Sequence, residues 1–353
     1  MKISSIIPGA LALGILSFTT LHPTTAQQSA VVEAQPTYFD QQAVQDDHSV
    51  GHSASMGHSS YGSYDGQGCG SACGSYNTGR GRFLGQNLLS RIQPSEEGFD
   101  CFVSPITNPI YFEDPRNLTE LRPVYIRHNF PAALGGGGIN VYALQLRARL
   151  SENVSLIAIK DGYIESDSAL LENGWADLGF GFKFNLLRDV ANQRLWSAGF
   201  TYEAPTGSAS ALQGNGAGEL NLFSSAAGRI GERGFWMAAG GVRQPLNRRQ
   251  ESSSLYNSIH YAHLIQPRIY AVTEFNWFRW FSSGSATALG FEGLDLINFG
   301  SEGVSGNSVV SWAYGLRFKP SRRQEIGAAY EIPLSGRRDI MGNRLTADWI
   351  LRF

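Results

Sequence analysis

Read backwards from its last residue, the chain alternates with a period of two. Phe353, Leu351, Trp349, Ala347 and Leu345 fall on one side and Arg352, Asp348, Thr346 and Arg344 on the other, with Ile350 the exception. Such a run is a β-strand with one apolar and one polar face. The stretch "DLGFGFKFNL" repeats the pattern, with Leu178, Phe180, Phe182, Phe184 and Leu186 against Asp177, Gly179, Gly181, Lys183 and Asn185. "VVSWAYGLRFK" does so again, with Val310, Trp312, Tyr314, Leu316 and Phe318 against Ser311, Ala313, Gly315, Arg317 and Lys319. About twelve strands are predicted, near residues 124–130, 139–150, 153–164, 175–188, 194–206, 218–230, 234–245, 255–265, 268–281, 309–319, 324–334 and 344–353. In the third, Ile157 and Ile159 compete with Leu156 and Ala158 for the apolar face.

Alternation alone does not say whether the apolar faces look into a core or out at lipid. The connections do. Tight turns such as "SEN", "DVANQ", "RIGERG", "QP" and "KPSRR" alternate strictly with longer loops such as "EAPTGSASALQGNGAG" and residues 282–308. Short ends on one side and long ends on the other are the arrangement of an outer-membrane barrel, whereas a soluble sandwich has Greek-key connections. The expected fold is therefore all-β, a transmembrane antiparallel up-and-down β-barrel of about twelve strands over residues 122–353. An even strand count puts the N-terminal arm and the C-terminus together on the short-turn, periplasmic side.

The remaining third of the chain has a different character. "MKISSIIPGALALGILSFTTLHPTTAQQ" has one early Lys2, an apolar run and small residues up to Ala26, the pattern of an export signal over residues 1–26. Residues 27–82 are rich in His, Gly and Ser with almost no aliphatic side chains, which predicts a disordered periplasmic arm. Residues 83–121 mix apolar residues with Pro105, Pro109 and Pro115, which exclude a regular helix. This extended segment is expected to plug or gate the barrel mouth through Phe102, Ile106, Ile110, Tyr111 and Phe112.

Composition agrees: aromatic residues make up 12% of the chain and charged residues only 16%, with 41 glycines, as suits many strands and turns. No run of about eighteen unbroken apolar residues follows the leader, so helical spans are not expected. A net charge of -2 gives no footprint for nucleic acid. Cys69, Cys73 and Cys101 would meet an oxidising compartment, where at most one disulfide can join them.

With the apolar parity outward, Arg147, Arg149, Asp177, Lys183, Glu203, Arg317, Glu325, Glu331 and Asp348, together with Arg344 and Arg352, are expected to line the lumen. Mixed signs favour mutual neutralisation over selectivity by any one residue. Trp196, Tyr202, Trp312, Tyr314 and Trp349 are expected toward the lipid interface. Ser258 and His260 share one strand face, but no acidic partner lies in the adjacent sequence, and the chain is read as non-enzymatic. His48, His52, His58, Asp46, Asp47, Cys69 and Cys73 fit no closed zinc spacing, so a solvated spacer with no metal or cofactor is the reading of the arm.

The stretch "WADLGFGFKFNLLRDVANQRLWSAGFTYEAPTGSASALQG" resembles a segment of the outer-membrane proteins associated with the meta-pathway of phenol degradation. The matching residues are Asp177, Leu178 and Gly179 at the strand start and Pro205, Thr206 and Gly207 in the loop. The resemblance extends loosely over residues 122–353 and omits the arm. It implies an outer-membrane channel or transporter for small hydrophobic or aromatic permeants, and maps no binding residue. The C-terminal Phe353, Leu351 and Trp349 likewise resemble the signal that hands such barrels to the barrel-assembly machinery. Two other readings stay open at this point: a structural or adhesive outer-membrane barrel, and a secreted soluble β-sandwich binding module.

Overall fold

A computed structural model describes residues 92–353. The expected leader, the arm with Cys69 and Cys73, and residues 83–91 lie outside the described residues. The wall is a closed antiparallel barrel of twelve strands. They are β1 (Glu120–Asn129), β2 (Gly138–Arg149), β3 (Val154–Lys160 continued by Tyr163–Ser166), β4 (Gly174–Trp175 continued by Leu178–Asp189), β5 (Arg194–Ala204) and β6 (Glu219–Ile230). There follow β7 (Gly234–Pro245), β8 (Ser253–Gln266), β9 (Ile269–Ser282), β10 (Ser308–Ser321), β11 (Gln324–Pro333) and β12 (Asn343–Arg352). Each strand pairs with its sequence neighbours, and β1 pairs with both β2 and β12, so no strand edge is left bare.

The first strand begins at Glu120, earlier than its apolar pattern, because Glu120 and Arg122 already face inward as part of the wall. The interruption in β3 falls at Asp161 and Gly162. There the Asp161 carboxylate accepts the Leu144 amide at 2.8 Å, replacing a ladder bond, and Gly162 takes a positive φ of 109°. This irregularity explains the ambiguous parity of the segment: Ile157 and Ile159 point inward, while Leu156 is exposed. Short connections at residues 150–153, 190–193, 231–233, 267–268 and 322–323 all lie at one end. Longer ones, including residues 205–218 and 283–307, lie at the other.

Polarity is inverted relative to a soluble protein. Leu178, Leu186 and Leu316 are 51%, 53% and 56% exposed on the outside, whereas Lys183 and Arg317 are 0% exposed inside. Leaving a large apolar side chain on water forgoes about 1.5–3 kcal/mol. A belt of such residues around the whole wall is a surface made for hydrocarbon. Trp196, Tyr314 and Trp349 stand exposed on this surface; Tyr202 and Trp312 are half-buried in it. The indole N–H groups of Trp196 and Trp312 donate to Ser224 Oγ and Thr273 Oγ1, each at 2.8 Å, as they must where the solvent offers no acceptor. Ile350, the exception to the terminal alternation, is fully buried on the lumen side as its position requires.

Leu316→Arg should destabilise the folded barrel in lipid by about 2–4 kcal/mol if it lies near the bilayer midplane. Urea-dependent loss of heat-modifiable gel mobility measures this, and an unchanged midpoint would mean the belt does not face lipid. Gly181 offers no roomy lumen position for comparison, because a Cβ there would collide with the Phe200 carbonyl oxygen.

Candidate functional site

The lumen is occupied. From Gln93, whose amide donates to Arg149 O at 2.8 Å, the chain enters at the short-turn end and climbs through Phe102 and Ile106. It turns at Asn108, which takes a positive φ of 49° and whose carbonyl accepts the Phe112 amide at 2.8 Å. It then descends through Glu113 and Arg116 to Thr119. The prolines allow no regular helix, so this backbone has to find its hydrogen bonds elsewhere. Internally, Arg116 joins the two limbs, donating to Phe102 O at 2.9 Å, to Ser104 Oγ at 3.0 Å and to Asp114 Oδ2 at 2.6 Å.

The wall supplies the rest. Glu274 accepts the amides of Ile106 at 2.7 Å and Thr107 at 2.6 Å, and Glu325 accepts that of Ser104 at 3.0 Å. Arg122 and Arg317 both donate to Pro105 O, at 2.7 and 3.2 Å. Gln145, Ser197 and Lys183 donate to the carbonyls of Pro109, Pro115 and Arg116. Irregular backbone at membrane depth persists only where protein groups satisfy it in this way.

The charges that address the backbone also pair with one another. Glu113 meets Arg147 at 2.6 Å and Lys183 at 2.7 Å, and Arg147 reaches on to Glu120 at 3.0 Å. Arg352 bridges Glu120 and Glu325 at 3.0 and 2.6 Å. Asp348 receives Arg122 at 2.6 Å and Arg317 at 2.7 Å. Breaking a buried pair on one side costs about 3–5 kcal/mol, so each member holds its neighbours in place.

A second segment closes the other end. The β9–β10 connection folds inward and buries Leu294, Leu296, Ile297, Phe299 and Val304. Asp295 pairs with Arg344 at 2.7 Å, Arg243 donates to Leu294 O at 2.5 Å, and Asn298 donates to Glu219 at 2.9 Å. Arg243 also lies over the Tyr111 ring at 4.5 Å, and Tyr111 packs on Tyr256 at 5.1 Å. Ile110 and Tyr111 of the inserted segment therefore share one apolar cluster with the folded-in loop.

Of the residues expected from parity to line the lumen, Arg147, Lys183, Arg317, Glu325 and Asp348 come together around the inserted segment. Glu203 pairs with Lys160, Glu331 accepts Asn276 at 2.8 Å and lies 3.7 Å from Arg344, and Asp177 accepts the amides of Gly207 and Gly214 in the long-loop end. Arg149 does not line the lumen. As the last residue of β2 it stands half-buried at the rim and donates to Pro94 O at 3.1 Å. Phe102, Ile106, Ile110, Tyr111 and Phe112 are all buried inside the barrel. Phe102 packs on Phe235 at 5.0 Å, and Phe112 lies edge-on to His260 at 6.4 Å.

Sequence reasoning missed Glu113, Asp114 and Arg116, hidden in a segment read for its apolar residues, and Glu274, which the β9 parity could have revealed. Glu274 is also the acidic partner that His260 lacked, at 2.7 Å from Nδ1 on the neighbouring strand. The pair forms no nucleophilic triad, because Ser258 Oγ is engaged by Asn108 at 2.9 Å and Asn276 at 2.6 Å.

No known protein-family model matches this sequence, and no curated protein matches it. Among solved structures, an outer-membrane channel from Pseudomonas putida F1 superposes with a TM-score of 0.51 at 13% identity, covering 71% of this chain and all (100%) of its own. The NanC porin gives 0.42 at 6% identity over 67% of this chain and 99% of its own, and the KdgM porin 0.38 at 7% over 66% and 99%. At these identities the likeness to the Pseudomonas channel establishes the outer-membrane barrel fold, and the two weaker superpositions add nothing to it.

In the loops at the long end, burial raises the carboxyl groups of Glu292 and Asp339 above their usual range. Glu251 is pushed up to about 8, first by burial and then by Glu219 and Glu203. Below its ordinary value of 4.5 the group is neutral whether or not the loop is folded. Between that value and about 8 the unfolded loop releases the proton while the folded loop retains it, so stability falls as pH rises and levels off above 8. Glu251→Gln should therefore slow hydrogen exchange in residues 246–252 at pH 8 and leave it unchanged at pH 4. Equal effects at both pH values would dismiss this titration.

Proposed function

We propose that the protein is an outer-membrane channel for small molecules whose resting lumen is closed from both ends, by residues 92–119 and by the β9–β10 connection. One observation carries this reading: inserted segments occupy the lumen, and long inward side chains of the wall, such as Arg122, Arg147, Lys183 and Arg317, are turned onto them. Many other inward wall positions are small and polar, such as Ser197, Thr201, Asn221, Ser225, Ser258, Ser311 and Thr346. A barrel serving only as a scaffold would fill itself with its own side chains, as small barrels do. Withdrawal of an inserted segment would here leave a polar passage. The resemblance around residues 175–214 favours small hydrophobic or aromatic permeants. The short-turn end, with the chain entry and Phe353, is assigned to the periplasm by the usual orientation of outer-membrane barrels.

Deleting residues 99–118 should raise conductance in planar bilayers from a closed baseline, with heat-modifiable mobility confirming that the barrel still forms. High conductance unchanged by the deletion would identify an open general porin. No conductance in either form would favour a structural or adhesive barrel.

The terminal Phe353, Leu351 and Trp349 are proposed as the signal read by the barrel-assembly machinery. Phe353→Ala is the sharper test than truncation. It keeps the backbone bonds of residue 353 to Thr119 O and from the Ser95 amide, so that only the ring is lost. Its level in the outer membrane should fall several-fold while export continues, and an unchanged level would reject the assignment.

A further inference from the structure

At the short-turn end the inserted segment and the wall leave a cavity of about 420 Å³ between the Pro94–Asp100 stretch, the β10–β11 turn and the C-terminus. Five cationic residues line it, Arg116, Lys319, Arg322, Arg323 and Arg352, against three acidic ones. The deep cations are already neutralised: Arg116 by Asp114, and Lys319 and Arg352 by Glu325 at 3.2 and 2.6 Å. Of the acids, Glu96 is held by Arg188 at 2.8 Å and by the Asn117 amide. Asp100 makes a loose 3.6 Å pair with Arg322. Arg323, exposed at the tip of the turn, makes no side-chain ion pair or hydrogen bond among the described residues. The rest of the lining is the exposed Glu97, the hydroxyls of Ser95 and Ser321, and the apolar Pro94, Phe99, Leu118 and Phe353.

A planar guanidinium beside an apolar wall recognises a carboxylate carried on a hydrophobic body: the fork takes the two oxygens and the wall takes the rest. We infer that this cavity is a binding site for small organic carboxylates, with Arg323 and the adjacent Arg322 receiving the head group and Phe99 and Leu118 the body. As a statement about the permeant this rests on the channel reading, but as a binding site it does not.

The test is equilibrium dialysis of benzoate against the full-length protein in phosphatidylcholine nanodiscs, corrected with empty discs. Saturable benzoate binding is expected, with benzyl alcohol and inorganic phosphate each at least tenfold weaker. Arg323→Gln should weaken benzoate at least tenfold without altering heat-modifiable mobility, and adding Arg322→Gln should weaken it further. Benzyl alcohol binding as well as benzoate would overturn the role of charge, and phosphate binding as well would overturn the role of the apolar body. Loss of benzoate binding on adding phosphatidylglycerol to the discs would show that the site belongs to a lipid head group, overturning the soluble ligand. Benzoate binding by the full-length protein that depends on Arg323, without benzoate flux in proteoliposomes through either the intact protein or the variant lacking residues 99–118, would leave the site standing and remove the channel reading.

Discussion

A cylinder of twelve strands encloses more volume than its inward side chains occupy, and that excess governs everything inside it. In lipid the wall must keep its apolar side chains outside, so the interior inherits the polar parity of every strand. An occupant of such an interior has to be polar where it touches the wall. Residues 92–119 meet the requirement with main-chain amides and carbonyls more than with side chains. Glu274, Glu325, Arg122, Arg317 and Lys183 therefore act on the backbone of the occupant as ladder partners would in a sheet.

The two ends of the inserted segment are held by different physics. Near the short-turn end the inserted segment sits among paired charges, where the loss of one partner strands another. At its tip, Ile110 and Tyr111 enter an apolar cluster with Leu294, Leu296 and Phe299, joined by nondirectional contacts and one cation over a ring. Movement of the tip would give up apolar contact area, whereas movement of the base, or of the loop with its Asp295–Arg344 pair, would separate ions. The loop end is also where burial raises the carboxyl groups of Glu251 and Glu292 above their usual range.

The wall was legible from alternation because in a barrel side-chain parity and environment coincide: Lys183 and Arg317 lie inside, and Phe180 and Leu316 outside, as their positions require. The interior was legible only in part. Parity identifies which residues face inward, but it says nothing of where irregular chain will run, so Glu113, Asp114 and Arg116 could not be matched with Arg147 and Lys183 from sequence. The loop at residues 283–307 was read by its length alone, although "FEGLDLINF" within it carries an apolar content that an exposed loop does not need. Arg149 differs through its height along the wall: at the end of β2 it stands at the rim and meets the entering chain at Pro94.

The backbone of Phe353 carries a further consequence. Its amide donates to Thr119 O and its carbonyl accepts from Ser95, while Arg352, one residue earlier, grips Glu120 and Ser104. The atoms that close the seam between first and last strands are thus the neighbours of those that fasten the inserted segment. Completion of the cylinder and seating of the inserted segment therefore draw on the same strand end, so loosening one loosens the other.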